Sequence, residues 1–329
     1  MTKVVRFDRY GGPEVLRVEE VEVAPPAAGE VQIRVQALGL NRAEALLRAG
    51  TYIETAVFPS GLGLEAAGLV AAVGAGVDGF RPGEAVSIIP PVSMVRWPAY
   101  AGLINVPAGR VVRNPASLSA EHAAAMWMPY LTAYGGLIDI AGLGRGEVVA
   151  ITAASSSVGL AAIQIANKVG AIPVAVTRTF AKKQALLDAG AAYVVAASEQ
   201  DLAARLADIT YGRGVRVVFD AIGGPIFGPL TEAMSRGGIL IEYGGLSGEP
   251  TPFPLAAVLS KTLTLRGYLV HELIGNPPRL EAAKTFILDG LASGALRPTI
   301  DRVFAIDQIV DAHRYLEGNT QFGKIVVTI

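Results

Sequence analysis

Residues 147–171 read EVVAITAASSSVGLAAIQIANKVGA. An apolar strand, Val148–Thr152, runs into a loop of very small residues, and an alanine-rich helix, Val158–Val169, leaves it. A dinucleotide fold needs that context, because the pyrophosphate sits on free N–H groups at the helix N-terminus. The usual G-x-G-x-x-G is absent. Ala153, Ser156 and Gly159 keep a related spacing, with Ser156 where a glycine is usual. Serines stay small and add hydroxyls for phosphate oxygens. A strand–turn–helix joint built of small residues for packing alone has the same composition, so the surroundings decide.

Downstream, strands and helices alternate. Val174–Thr177 reads as a strand and Phe180–Ala189 as a helix, with Gly190 just past its end. Val194–Val195 is a short strand and Asp201–Ile209 a helix. Val215–Asp220, Phe227–Ser235 and Gly238–Tyr243 continue as strand, helix and strand. This rhythm predicts a doubly wound parallel sheet, helix-covered on both faces, with right-handed crossovers.

Upstream the texture differs. Val4–Phe7, Leu16–Glu22, Val31–Gly39, Glu65–Val73 and Glu84–Ile89 are short strands punctuated by glycine and proline. They predict a partly open β-barrel. A helix is expected over Ser119–Met128, broken at Pro129, with a second over Tyr130–Ala141. After Thr262–Leu269 the pattern loosens. A helix at Arg279–Ser293, a strand near Val303, a helix at Asp307–Glu317 and a last strand, Lys324–Ile329, close the sequence. The expected organisation is an α/β protein. A Rossmann domain over residues 125–266 is inserted in a β-barrel domain, which is formed by residues 1–124 and completed by 267–329.

Composition narrows the chemistry. The 329 residues carry a net charge of −1, which gives no global field for nucleic acid or an anionic membrane. There is no cysteine, which excludes disulfides, thiol nucleophiles and thiolate-held metals. The three histidines, His122, His271 and His313, share no metal-binding spacing. No run reaches the roughly 20 apolar residues of a membrane span, and the first residues lack the apolar stretch of a signal peptide. A cytoplasmic protein is expected.

The end of the second strand tests the cofactor. An NAD site usually carries a carboxylate there for the ribose 2′-hydroxyl. Here the strand ends Val176-Thr177-Arg178, followed by Lys182 and Lys183. A carboxylate repels a 2′-phosphate, whereas arginine holds one with a forked, charge-assisted pair. NADPH is the expected cofactor. A solvated basic helix start is the plainer alternative.

Several further segments occur in a telling order. They are Leu38–Glu44 (LGLNRAE), Arg48–Tyr52 (RAGTY), Leu62–Gly68 (LGLEAAG), Val73–Val77 (VGAGV) and Phe80–Glu84 (FRPGE). Leu131–Tyr134 (LTAY), the serine loop, Val218–Ala221 (VFDA) and Gly323–Val326 (GKIV) follow. Together they resemble the medium-chain dehydrogenase/reductase superfamily in its zinc-free, quinone oxidoreductase-like branch, over essentially the whole chain. Two departures stand out. The cysteine, histidine and cysteine that hold zinc in the superfamily's alcohol dehydrogenases match Asn41, Leu64 and Met128, and the four-cysteine lobe is missing between Ile89 and Val106. Some members of the branch place a Tyr or His after the third strand to meet the phosphate, where this chain has Ala196–Ala197.

The resemblance implies a GroES-like partly open barrel joined to a Rossmann domain, with the cofactor in the cleft between them and a homodimer. It implies that Ser155, Ser156, Ser157 and Val158 meet the pyrophosphate. Thr177, Arg178 and Lys182 would meet the adenosine ribose and its phosphate. Thr132 would approach the nicotinamide end, Ala221 would line the adenosine side, and Tyr243 and Gly244 would line the cofactor's path. Gly323 and Lys324 count among the cofactor-binding positions, or else form only a turn before the final strand.

For chemistry, Asn41 is a candidate to orient cofactor or substrate through its amide, or a turn residue. Tyr52 is a candidate to polarise a carbonyl or give a proton after hydride delivery, or a tyrosine of the cleft wall. Met126, Trp127 and Met128 suit either an apolar pocket or the core. His271 beside Glu272 suits a solvated loop better than a catalytic pair. Glu65 suits a structural carboxylate. The expected function is metal-free, NADPH-dependent reduction of a small quinone or other α,β-unsaturated carbonyl compound. The alternatives are an enoyl-thioester reductase and an NADPH-binding regulatory protein with little turnover.

Overall fold

A computed structural model describes all 329 residues, which divide into two compact units. One comprises Met1–Met128 with Pro298–Ile329, and the other Pro129–Arg297. No helix is long and apolar enough to cross a membrane.

The inserted unit holds six parallel strands: β1 (Val148–Ile151), β2 (Ile172–Thr177), β3 (Tyr193–Ala196), β4 (Val215–Asp220), β5 (Met234–Glu242) and β6 (Thr264–Gly267). Their order is β3-β2-β1-β4-β5-β6, and every ladder is parallel. The central strands lie under helices on both faces, so they read as continuous apolar runs: Val149, Ala150, Ile151, Val217, Val218 and Phe219 are fully buried. The order reverses between β1 and β4. At such a switch point the loops leaving the strands diverge and open a crevice at their carboxyl ends.

The discontinuous unit is mostly antiparallel. Its sheet runs Ile300–Ala305, Lys324–Thr328, Glu30–Gly39, Glu65–Val73, Ala85–Ile88 and Val111–Arg113, with Leu103–Pro107 on the other end of Glu30–Gly39. Only the ladder between Ile300–Ala305 and Lys324–Thr328 is parallel. No ladder joins the two outer strands, so the barrel stays partly open.

Both boundaries fall later in the chain than the sequence suggests. Residues 125–128 stay with the barrel, because the Trp127 indole donates to Ser87 at 2.8 Å and the Met128 amide to Glu65 at 2.8 Å. Residues 267–297 stay with the parallel sheet. The strand Thr264–Gly267 pairs with β5, Arg279 bonds Asp139 at 2.8 Å, and Gln164 bonds both backbone groups of Arg297. Pro129 does not break its helix either. It is the third residue of Trp127–Tyr134, where an amide has no intrahelical partner to lose. The helix expected before it shrinks to Ala120–Ala123, with Ser119 as its N-cap.

Candidate functional site

The serine loop forms the strand–loop–helix joint read from the sequence. β1 ends at Ile151 and the helix α1 covers Ser157–Lys168. Ser156 is its N-cap, accepting from the Gly159 amide at 3.0 Å. That bond uses an acceptor site of the hydroxyl and leaves its proton to donate. Ala153 sits at φ 45°, a left-handed turn that carries the chain back over the strand end. A Cβ at Gly159 would stand 2.6 Å from the Ala154 carbonyl, so only glycine lets helix and loop pack this closely. Ser157 and Val158 form the first turn of α1, whose amides have no intrahelical acceptor.

Lys182 reaches this loop, donating to Ser155 Oγ at 3.1 Å. Thr177 ends β2, and Arg178 follows it, exposed. One carboxylate does approach this corner: Glu199, from beyond β3, accepts from the Phe180 amide at 3.0 Å. Sequence spacing did not reveal it, because Glu199 arrives from the next crossover.

The other named positions of this unit lie at or behind the strand ends. Ala221 follows β4; its amide donates to Thr152 Oγ at 2.9 Å and its carbonyl accepts from Leu246. Gly244 packs so closely that a Cβ there would stand 2.7 Å from the Ala221 carbonyl. Tyr243 stacks on Phe219, with centroids 4.1 Å apart, and its hydroxyl is buried with no partner. Burial, then Asp220 and Glu242, pushes that phenol well above its ordinary range. Thr132 is buried within Trp127–Tyr134. Glu272 is tied to Arg266 at 2.6 Å and to Arg279 at 3.1 Å, so it is an ion-pair residue.

In the discontinuous unit the structure collects a polar network. Asn41 caps the helix Arg42–Ala49. Its carbonyl oxygen accepts from Lys324 Nζ at 2.7 Å, and its amide nitrogen lies 3.3 Å from both Glu44 and Glu65. Lys324 is also paired with Glu65. Glu44 accepts from the Asn41 amide at 2.6 Å, the Leu64 amide at 2.9 Å and the Tyr100 hydroxyl at 2.5 Å. Burial pushes Glu44 up to about 7, while Tyr100, Asn41 and Lys324 pull it down. Sequence reasoning passed over Glu44 and Tyr100. The Asn-x-x-Glu spacing of a capping box was the available signal for Glu44.

Lys324 is therefore not an exposed ligand-binding cation. Its side chain is 1% exposed and bonded within this network. Gly323 before it sits at φ 109°, with the Thr299 carbonyl 2.4 Å from where a Cβ would stand, so it serves as the turn into the final strand. Met126, Trp127 and Met128 are buried in the core.

The network does not fit a cation. No group of three His, Cys, Asp or Glu side chains is placed to hold one. The Lys324 ammonium already neutralises the Glu65 carboxylate, and Leu64 and Met128 contribute backbone amides rather than ligands.

Tyr52 lies half-buried in a bend after Gly50, the left-handed cap of Arg42–Ala49. Burial, then the charges of Glu54 and Glu44, pushes its phenol up to about 12. It therefore keeps its proton at neutral pH.

Comparison with known proteins agrees with this architecture. Residues 27–113 match the model of the alcohol dehydrogenase GroES-like domain, and residues 157–287 that of zinc-binding dehydrogenases. The chain is 32% identical over 332 residues to quinone oxidoreductase 1 of Escherichia coli, covering 98% of each. It is 29% identical over 335 residues to a 2-haloacrylate reductase of Burkholderia, covering 99% of each. The crystal structure of Escherichia coli quinone oxidoreductase complexed with NADPH superposes with a TM-score of 0.90 at 30% identity, over 99% of this chain and 100% of that one. By the barrel, the switch-point loop and this end-to-end likeness, the chain belongs to the quinone oxidoreductase-like branch of the medium-chain dehydrogenase/reductase superfamily.

Proposed function

We propose that this chain is an NADPH-dependent reductase of quinones or other α,β-unsaturated carbonyl compounds, working without a metal. The observation that carries the cofactor reading is the corner where Lys182 meets Ser155 beside the exposed Arg178. The loop packs so closely on the helix that a side chain at Gly159 would displace its backbone. NADPH, when bound, supplies the hydride. The first amides of α1 and the hydroxyls of Ser155, Ser156 and Ser157 suit its pyrophosphate, and Val158 keeps that turn apolar beneath it. Arg178 and Lys182 suit its 2′-phosphate, with Thr177 at the ribose. Thr132, Ala221, Tyr243 and Gly244 shape the rest of the cofactor's path. Asn41 positions, and Tyr52 supplies a proton. The quinone and haloacrylate relatives support an acceptor whose carbon–carbon double bond is conjugated to a carbonyl. Family likeness supports a homodimer in the cytoplasm acting on a small molecule.

The reading is tested by following NADPH oxidation across a panel of quinones, enones and enoyl thioesters. Turnover with at least one class is expected; binding of NADPH without any turnover would overturn it.

Arg178→Ala is expected to weaken NADPH by roughly 10- to 150-fold, the loss of a charged hydrogen bond of about 1.5–3 kcal/mol. NADH should be affected far less, since it lacks the 2′-phosphate. Fluorescence titration of both cofactors reads the difference, and equal wild-type affinities would sink the assignment.

Chelators are expected to leave the rate unchanged, because the Asn41 carbonyl and Glu65 are already bonded to Lys324. Activity that is lost on chelation and returns with zinc would refute metal independence.

A further inference from the structure

Two acidic side chains end neighbouring strands of the inserted sheet. Asp220 closes β4, Glu242 closes β5, and the parallel ladder sets them opposite one another. Asp220 is fully buried and surrounded by donors. Its Oδ1 accepts from the Thr152 hydroxyl at 2.5 Å and the Ile222 amide at 3.0 Å, and its Oδ2 from the Gly223 amide at 3.1 Å. Those donors suit an ionised carboxylate, which only accepts.

Glu242 is placed differently. Both of its oxygens are buried without a hydrogen bond of normal geometry, and the Gly244 amide is the backbone donor that bears on the carboxylate. Oε2 lies under the loop after β4, 3.9 Å from where a Cβ on Gly223 would stand. A buried acceptor so poorly bonded is destabilising, and more so if it is charged. The side chain that faces Glu242 as a hydrogen-bond partner is the Asp220 carboxylate, itself an acceptor, with the Gly244 amide as a lesser influence. Two carboxyl groups can bond only through a proton.

Glu242 also lines an open pocket of about 630 Å3 with Tyr243, Gly244, Tyr268, Leu269 and His271. The pocket lies at the carboxyl ends of β5 and β6, the end where doubly wound sheets take their ligands. The loops above the pair are laced together: Leu246 donates to the Ala221 carbonyl, Ser247 to that of Ile222, and Gly224 to Thr251. A change in charge at the pair therefore acts on Ala221 and Gly244 directly.

We propose that Asp220 and Glu242 hold one proton between them, and that this shared proton couples dinucleotide binding to pH. With the proton in place Glu242 donates to Asp220, and the pair carries one negative charge. Without it, two buried anions face each other beneath a ligand that is itself anionic. Burial first, then the charge and hydrogen bond of Asp220, raises Glu242 to about 9, so the proton is held through neutral pH. The other titratable groups nearby are Tyr243 on β5, Tyr268 just beyond β6, and His271 and Glu272 on the pocket wall. Both tyrosines keep their protons to a still higher pH, and Glu272 is held by arginines. Glu242 is thus a positioning residue, acting through the strand-end loops.

The coupling to nucleotide rests on the NADPH reading above; the shared proton does not. Two measurements separate them. Ligand-free thermal unfolding is recorded from pH 5 to pH 10 for the wild type and Glu242→Gln. Folding raises Glu242 from the ordinary carboxylate range, so the folded state binds the extra proton and loses stability as pH climbs towards about 9. Glutamine donates to Asp220 without titrating, so its melting temperature should gain on the wild type steadily across that window. A constant difference at every pH would overturn the shared proton, whether or not NADPH binds. The second measurement is the Kd for NADPH over the same range. The wild type should weaken above pH 9, by up to tenfold per unit, while Glu242→Gln stays flat. Parallel profiles in the two proteins, or no NADPH binding in either, would overturn the coupling; in the second case a growing difference in melting temperature would still establish the proton.

Discussion

Replacing Tyr52 with phenylalanine is expected to slow enone and enoyl-thioester reduction by about 10²-fold while sparing most quinone reduction. Hydride on the β-carbon of an enone leaves an enolate, whose α-carbon must then be protonated. A positioned general acid contributes typically 10²–10⁴-fold to such a step. A quinone yields a far more stable hydroquinone anion, whose oxygen takes its proton from water. The structure sets the size of the effect. Burial, with Glu54 and Glu44, raises the phenol to about 12, so the proton is always present near pH 7 but is released less readily. That argues for the lower end of the range, and for a rate independent of Tyr52 ionisation below about pH 11. Single-turnover rates at saturating NADPH are the measurement, so that product release does not mask chemistry. Equal losses with both acceptors would make Tyr52 a positioning residue. No loss with either would leave it a wall residue.

Lys324→Met should produce the largest loss of stability of any single change considered. Lys324 and Glu65 are both 1% exposed, and the ammonium also holds the Asn41 carbonyl. Removing one member of a buried pair leaves the other charge uncompensated, at a cost of about 3–5 kcal/mol. For a protein of this size that corresponds to a fall of roughly 4–7 °C in melting temperature. Scanning calorimetry gives the value. The double variant with Glu65→Gln should recover part of the loss, because it removes the stranded charge. A single variant that melts within a degree of the wild type would show that the pair contributes nothing net.

Local chemistry made much of the molecule legible. The strand, small-residue loop and helix of 148–168 follow from composition and order, and the alternating strands and helices after them separate a dinucleotide joint from one built for packing alone. Asn41 stood out through the LGLNRAE motif, read as an orienting amide or a turn residue, and the structure makes it the cap of a helix. What escaped was set by partners distant in sequence. Lys324 reads as a cofactor-binding position or part of a turn until Glu65 and Asn41, far upstream, are found beside it. Asp220 and Glu242 become neighbours only through the β4–β5 register. The end of the insertion was misplaced because β6, Thr-Leu-Arg-Gly, is a short, partly exposed edge strand with little apolar signal. The inserted helix Pro277–Ala292 then looked like part of the barrel that follows it.

The split of the barrel across both ends of the chain bears on its synthesis. Residues 129–297 form one contiguous unit and can fold as soon as they leave the ribosome. The barrel cannot, because the strand Lys324–Thr328 lies beside Glu30–Gly39 and is made only after the whole inserted unit. Until it arrives, Glu65 lacks the ammonium that neutralises it, and the Ala37–Gly39 end of one edge of the strand Glu30–Gly39 stays open to other chains. The nascent protein therefore carries a finished cofactor-type domain on an unfinished barrel.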